Sequence, residues 1–407
     1  MQQQKHTLMI LSSILMMLMM GTVYSYSVFR YHIEAEFQIR TFLSGFPYMT
    51  SLFFYALSMM ISGRFLKPSR LLGFVFFGTL FISLGWLIAY LSSDFVIFVI
   101  SYGVLIGTGV GMVYGVPIYM VQKLYPKKSG LMTGLILLGF GMSPLITAPL
   151  ASVLIQNTSL NATFLIFGIM FLVIQLPLSY LFILKEYTDF KSFVPDQIIH
   201  EKLKPFKRIY GLFVIATTIG LMMIGLSYQI GVVYYAFDAR GVTISLSFFA
   251  LMNGIARPIF GKLMDQKGFR FSVLLSLSLI SLASIIGLLN QGEHIVLYVI
   301  SFGLFWFNLG AWLAIVPATI KEFYGVKQYS KKYGVMFTAY GIGSILGTSI
   351  SGTVMDILGW TGYLYIIILL FVGVSIFILL HINHSNVLLN NVNIDSKSEV
   401  TINIPSI

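Results

Sequence analysis

The chain has 407 residues, 57% of them apolar and only 10% charged, with a mean hydropathy of +0.89. A soluble domain carries about a quarter charged residues, so this composition excludes one. The lack of cysteine also excludes disulfides, Cys-ligated zinc, iron–sulfur clusters and thiol catalysis.

Taken in chain order, apolar runs recur near 8–29, 42–62, 71–91, 95–121, 130–155, 163–184, 208–235, 242–262, 270–289, 294–319, 333–355 and 360–381. Each is close to the ~20 residues that cross a bilayer core, and together they predict twelve spans. The first follows Lys5 and His6 but is too long for a signal-peptide core. It lacks a small-residue cleavage site and continues into Tyr24-Ser25-Tyr26, so it reads as a span. Residues 185–207 form the one long internal connection. They divide the chain into an N-terminal six-helix half at 1–184 and a C-terminal six-helix half at 208–381. The tail, 382–407, is polar and Asn-rich and is expected to be disordered.

The halves echo each other. Gly63-Arg64-Phe65-Leu66-Lys67 and Gly261-Lys262-Leu263-Met264-Asp265 are 198 residues apart, and Pro117 and Pro317 are 200 apart. Tyr125-Pro126-Lys127-Lys128-Ser129-Gly130 and Tyr329-Ser330-Lys331-Lys332-Tyr333-Gly334 are 204 apart. A near-constant offset marks a duplicated unit, as alternating-access carriers have.

Charge placement gives the orientation. On this numbering, 21 of the 25 basic residues fall on the side of the termini and central loop, from Lys5, Arg64 and Lys67 to Lys331, Lys332 and Lys397. The opposite side has only Arg30, Arg40 and Arg240. Basic residues concentrate in cytoplasmic loops, so both termini and the central loop are expected in the cytoplasm of a cell-membrane protein. The net charge of +11 is then a topological device, and the partner it implies is the lipid bilayer and not a nucleic acid.

Arg257 is the one charged residue left inside a predicted span. A buried arginine costs ~2.5–3.5 kcal/mol on insertion scales. Three readings stand side by side: snorkelling past Lys262 to the surface, a structural tie to backbone carbonyls, or a counter-ion for an anionic substrate. The planar guanidinium suits a carboxylate bidentately. Asn253 lies one turn earlier on the same face, and Pro258 removes the backbone bond to Gly254, loosening the helix. The glycines of Gly107-Thr108-Gly109-Val110-Gly111 in span four favour close helix packing. They are no phosphate loop, since no Gly-Lys-Ser/Thr follows. Tyr24, Tyr26, Tyr114, Gln229, Asn308 and Tyr340 are further polar groups at membrane depth, offering donors around the one guanidinium.

These residues carry a resemblance. Gly21-Thr22-Val23-Tyr24-Ser25-Tyr26, the Gly-rich run with Tyr114 followed by Pro126 and Gly130, and Asn253-Gly254-Ile255-Ala256-Arg257-Pro258 through Gly261, Asp265 and Gly268 resemble carriers of the major facilitator superfamily. The likeness is to the oxalate:formate antiporter group, related to the monocarboxylate transporters. It implies an all-α fold of twelve helices in two six-helix pseudo-repeats and substrate carboxylate bound at Arg257. Asn253, Tyr24, Tyr114 and Tyr340 join Arg257 as the candidate substrate-binding set. Three positions depart from the family pattern. Tyr340 stands where the family's dicarboxylate carrier has a lysine, Phe140 where a tyrosine is expected, and Lys67 where an Asp is expected. One positive charge balances one carboxylate and leaves a second uncompensated in a low dielectric.

The sequence therefore points to a transporter of a small organic anion, most simply a monocarboxylate, working by exchange or facilitated diffusion as a monomer. Cofactor and metal are not expected. An exporter of neutral or amphiphilic molecules is the alternative within transport, and a non-transporting nutrient sensor the alternative outside it. The first lacks a predicted intramembrane acid and the second a signalling domain. A channel would need a charged ring or filter. An enzyme would need clustered catalytic groups, whereas His6, His32, His200, His294, His381 and His384 are scattered.

Overall fold

A computed structural model describes residues 2–125, 129–178, 205–290 and 292–382, which form helices joined by short turns, with no strand among them. Most of the central connection and the tail from residue 383 lie outside the described residues.

The first helix, α1 (2–37), passes through a tighter turn at Gly21–Ser25. It continues eight residues beyond the predicted end of span one. There follow α2 (Phe46–Phe65), α3 (Leu71–Leu91), α4 (95–124), α5 (Ser129–Asn157) and α6 (160–178). The second half holds α7 (Phe206–Tyr234), α8 (239–267), α9 (269–290), α10 (295–324), α11 (326–357) and α12 (Gly362–Leu380). Helix starts follow local chemistry. Asp94 accepts from the Val96 and Ile97 amides to cap α4, and Ser159 accepts from Ala162 to cap α6.

Helices α8 and α9 join at Gly268, and α10 and α11 at Gly325, each through one residue at positive φ (75° and 69°). Only glycine adopts that conformation without steric cost. Span eleven thus begins near residue 326, some seven residues earlier than its apolar run suggests.

The halves meet along two seams, α2 against α11 and α5 against α8, with α1 touching α7. The seams are related by the sequence repeat. A Cβ on Gly261 would lie 2.6 Å from the Gly130 carbonyl oxygen, and one on Gly63 would lie 2.7 Å from that of Ser330. The duplicated glycines mark two equivalent helix crossings at the end of the molecule carrying the basic loops. Leu, Ile, Val and Phe side chains exposed along α3, α6, α9 and α12 form the outer surface. In water such a surface would aggregate, and in lipid it is solvated.

Candidate functional site

Arg257 is fully buried. One terminal nitrogen donates to the Leu137 carbonyl of α5 at 2.7 Å, and the other donates to Asn253 Oδ1 at 3.0 Å. Asn253 in turn donates through Nδ2 to the Trp306 carbonyl of α10 at 2.7 Å, which fixes its amide. Asn253 is therefore a positioning residue here: it aims Arg257 across the α5/α8 seam. The side chain runs to the middle of α5 and not to the basic surface. The guanidinium lies 5.5 Å from the Phe140 ring centre, a cation–π distance. Its Nε has no hydrogen-bond partner, and among the described residues no carboxylate pairs with it.

Around this cation the fold builds an aromatic box. The tight turn of α1 packs Gly21 against the Phe140 backbone and brings Tyr24 edge-on to the Phe140 ring at 5.1 Å. Tyr114 meets the same ring at 5.3 Å, and Tyr55 meets Tyr114 at 5.1 Å. From the other half, Phe337 and Tyr340 stack on each other at 4.9 Å and reach Tyr55 at 5.0 and 5.7 Å. The Tyr24 and Tyr340 hydroxyls share a 2.8 Å hydrogen bond. All five sequence-selected residues, Arg257, Asn253, Tyr24, Tyr114 and Tyr340, thus converge on one buried centre. The Tyr114 hydroxyl comes within electrostatic reach of Arg257 but closes no hydrogen bond of proper geometry.

Three other groups selected at membrane depth belong elsewhere. Tyr26 donates to the Ser44 carbonyl at 2.6 Å, Asn308 accepts from Ser276 at 2.8 Å, and Gln229 donates to Glu34 at 2.6 Å. Each is a helix–helix tie. Tyr55, Phe337 and Tyr333 are box members that sequence reading does not select, and Phe140 enters it only as a departure from the family pattern. Aromatics are too common in apolar spans for their type alone to single them out.

A larger correction concerns Arg30, placed above in an outside loop. It lies in the extension of α1 and is 1% exposed. Nε donates to Ser44 Oγ at 2.9 Å, one terminal nitrogen to the Gly225 carbonyl of α7 at 3.0 Å, and the other to the Thr41 carbonyl. Glu34, one turn on, stands 3.9 Å away and accepts from both Ser44 and Gln229. The run Arg30-Tyr31-His32-Ile33-Glu34 has the hydropathy of a loop. It is helical because its charges pair at i, i+4 and pack against the other half. Arg257 is therefore not the one buried charge, and Glu34 is an acid within a helix and not in a loop. The two buried arginines differ in one decisive respect: among the described residues Arg30 has a carboxylate partner and Arg257 has none.

A family model described as Major Facilitator Superfamily matches residues 9–318 and 211–392. The chain belongs to that superfamily and is a multi-pass membrane transporter. It is 22% identical over 357 residues to the uncharacterised MFS-type transporter YhjX of Escherichia coli K12, covering 84% of this chain and 87% of that one. It is 25% identical over 281 residues to the oxalate:formate antiporter of Oxalobacter formigenes, covering 67% of this chain and 66% of the relative. Among solved structures, the human organic anion transporter MFSD10 superposes with a TM-score of 0.69 at 10% identity, over 93% of this chain and 99% of the other. That likeness shows the fold alone.

Proposed function

We propose that this transporter carries a small monocarboxylate, bound at Arg257 and exposed alternately to each side of the membrane. The observation that carries the reading is a buried guanidinium with no carboxylate partner among the described residues. A charge removed from water without a partner costs several kcal/mol. One backbone acceptor, one amide acceptor, one aromatic face and the nearby Tyr24 and Tyr114 hydroxyls offset only part of that. A carboxylate would supply the missing negative charge and accept from the free Nε and the Tyr114 hydroxyl. The resemblance to the oxalate:formate antiporter supports a small carboxylate as the class of substrate.

Two features favour one carboxylate over two. The centre holds a single fixed positive charge, and the box around it is walled by Tyr24, Phe140, Phe337 and Tyr340. A second carboxylate would meet aromatic rings and lose its hydration without a counter-ion. Exchange or facilitated diffusion fits the centre itself, where none of the described residues is an acid or histidine to carry a proton.

The test is uptake in proteoliposomes with labelled formate, acetate, lactate and oxalate, in wild type and Arg257→Gln. The expected result is saturable monocarboxylate uptake that Arg257→Gln abolishes while insertion persists. Undiminished uptake by Arg257→Gln would refute the counter-ion role.

A further inference from the structure

The hydrogen bonds of the centre divide by half. Within the C-terminal half, Asn253 accepts from Arg257 at 3.0 Å and donates to the Trp306 carbonyl at 2.7 Å. These bonds join α8 to itself and to α10, so they persist when one half moves against the other. Two further bonds cross between the halves. Arg257 donates to the Leu137 carbonyl of α5 at 2.7 Å, and the Tyr24 and Tyr340 hydroxyls share theirs at 2.8 Å. Three candidate substrate-binding residues, Arg257, Tyr24 and Tyr340, therefore also close the seam, each on a neutral group of the protein.

The sequence of α5 makes its carbonyl available. Gly134 and Gly141 stand one turn before and one turn after Leu137. A Cβ on Gly134 would lie 2.6 Å from the Arg257 carbonyl oxygen, and one on Gly141 would lie 2.6 Å from Asn253 Oδ1. Small residues let membrane helices approach this closely, and the approach brings the α5 backbone within reach of a side chain on α8. A carbonyl has two lone pairs, so Leu137 accepts from Arg257 without giving up its helical bond.

A carbonyl and a carboxylate serve the guanidinium differently. The carbonyl meets one donor but brings no charge to balance it. A carboxylate does both, and so displaces the carbonyl. Without a carboxylate, the carbonyl still spares one terminal nitrogen from being buried unmet, the costliest condition for a donor. Obligatory exchange needs the opposite arrangement, in which the halves cannot close over the cation unless substrate is present.

We infer that the Leu137 carbonyl stands in for the substrate carboxylate at Arg257, so that the unloaded carrier reorients and the protein performs net facilitated transport and not obligatory exchange. The bond between Tyr24 and Tyr340 does the same for the two hydroxyls. This rests on the reading of Arg257 as the anion site. In the cycle, a monocarboxylate takes the terminal nitrogen from Leu137 on one side and leaves on the other. The carbonyl then takes the nitrogen back. One negative charge crosses per turn.

The test uses proteoliposomes loaded with labelled lactate, with potassium and valinomycin on both sides to carry the compensating charge. Efflux is measured into medium without lactate and into medium with unlabelled lactate. The expected result is net efflux within about tenfold of exchange, a difference in barrier no larger than one hydrogen bond. Efflux that falls to the leak of protein-free liposomes while exchange continues would overturn the inference. Gly134→Ala tests the carbonyl itself. Its methyl group meets only backbone atoms of α8, so the helices must part and the bond from Arg257 to Leu137 is lost. Net efflux should then fall by about tenfold or more, the ratio lost with one hydrogen bond to a charged group, while exchange, in which lactate holds Arg257, is kept. Equal loss of both rates would show that the carbonyl has no part in the return step. The anion site is judged separately: exchange that survives Arg257→Gln refutes the site, whereas wild-type exchange without net efflux refutes only the stand-in.

Discussion

The hydroxyls of Tyr24 and Tyr340 meet at 2.8 Å although the residues are 316 positions apart, one from each half. The bond closes the centre of the molecule, and it places Tyr340 at the box, beside Tyr55 and Phe337. A lysine at 340 would therefore bring a second positive charge near the one on Arg257. Tyr340→Lys is expected to shift binding toward oxalate, while the wild type binds a monocarboxylate such as lactate more tightly. Paired competition of the two ligands in both proteins checks this. Tighter oxalate binding by the wild type would defeat the single-charge argument, whatever the variant does.

The same hydrogen bond can be weighed on its own. Tyr24→Phe and Tyr340→Phe keep the rings and remove one hydroxyl each. A double-mutant cycle on thermal stability is expected to give a coupling of about 1 kcal/mol, the ordinary net worth of one hydrogen bond. Strict additivity of the two single losses would mean that the contact contributes nothing to closing the halves.

The glycine crossings predict a conformational effect. Gly261→Ala puts a methyl group 2.6 Å from the Gly130 oxygen, a backbone atom that cannot swing aside. The α5/α8 seam should then part at its basic end, and a cysteine at the buried Met264 should react faster with small thiol reagents than it does in the parent. Unchanged labelling in the Gly261→Ala background would show that the seam relaxes without opening.

Orientation rests on the loop charges alone. Ser192 in the central connection is expected in the cytoplasm and the α5–α6 connection outside. Ser159 is a poor reporter because its hydroxyl caps α6, whereas Gln156 is exposed at the end of α5. Impermeant labelling of intact cells should reach Gln156→Cys and miss Ser192→Cys. The reverse pattern would invert the topology.

Much of the fold was legible because lipid imposes it. Each apolar run must satisfy its own backbone as a helix, and the repeated Gly63 and Gly261 motifs exposed the duplication. Arg257 stood out for the same reason, as a charge where charge is expensive. Arg30 did not, since its neighbours Tyr31, His32 and Glu34 give a loop-like hydropathy. Only its hydrogen bond to the Gly225 carbonyl of the other half, with Gln229 donating to its neighbour Glu34, reveals it as buried. Tyr333 stands in the sequence only as part of the repeated motif, and its place against Phe337 in the box is a property of the packing and not of residue type.

The contrast between the two buried arginines leads to opposite expectations for stability. Arg30 is neutralised by Glu34 and bonded to three oxygens, so Glu34→Ala strands a buried charge that other groups were arranged to serve. The loss from breaking such a pair is about 3–5 kcal/mol, discounted here because Glu34 remains 19% exposed and water can partly replace it. A clear fall in melting temperature is expected. Arg257 has no such partner among the described residues, and Arg257→Gln removes that charge while keeping donors for Leu137 and Asn253. Its melting temperature without ligand should equal or exceed that of the wild type, and the protection given by a monocarboxylate should disappear. Thermal unfolding followed by tryptophan fluorescence, with and without lactate, reads all of these together. If Arg257→Gln proved as destabilising as Glu34→Ala in the absence of ligand, Arg257 would be a structural tie to α5. An anion would then have to bind elsewhere in the box.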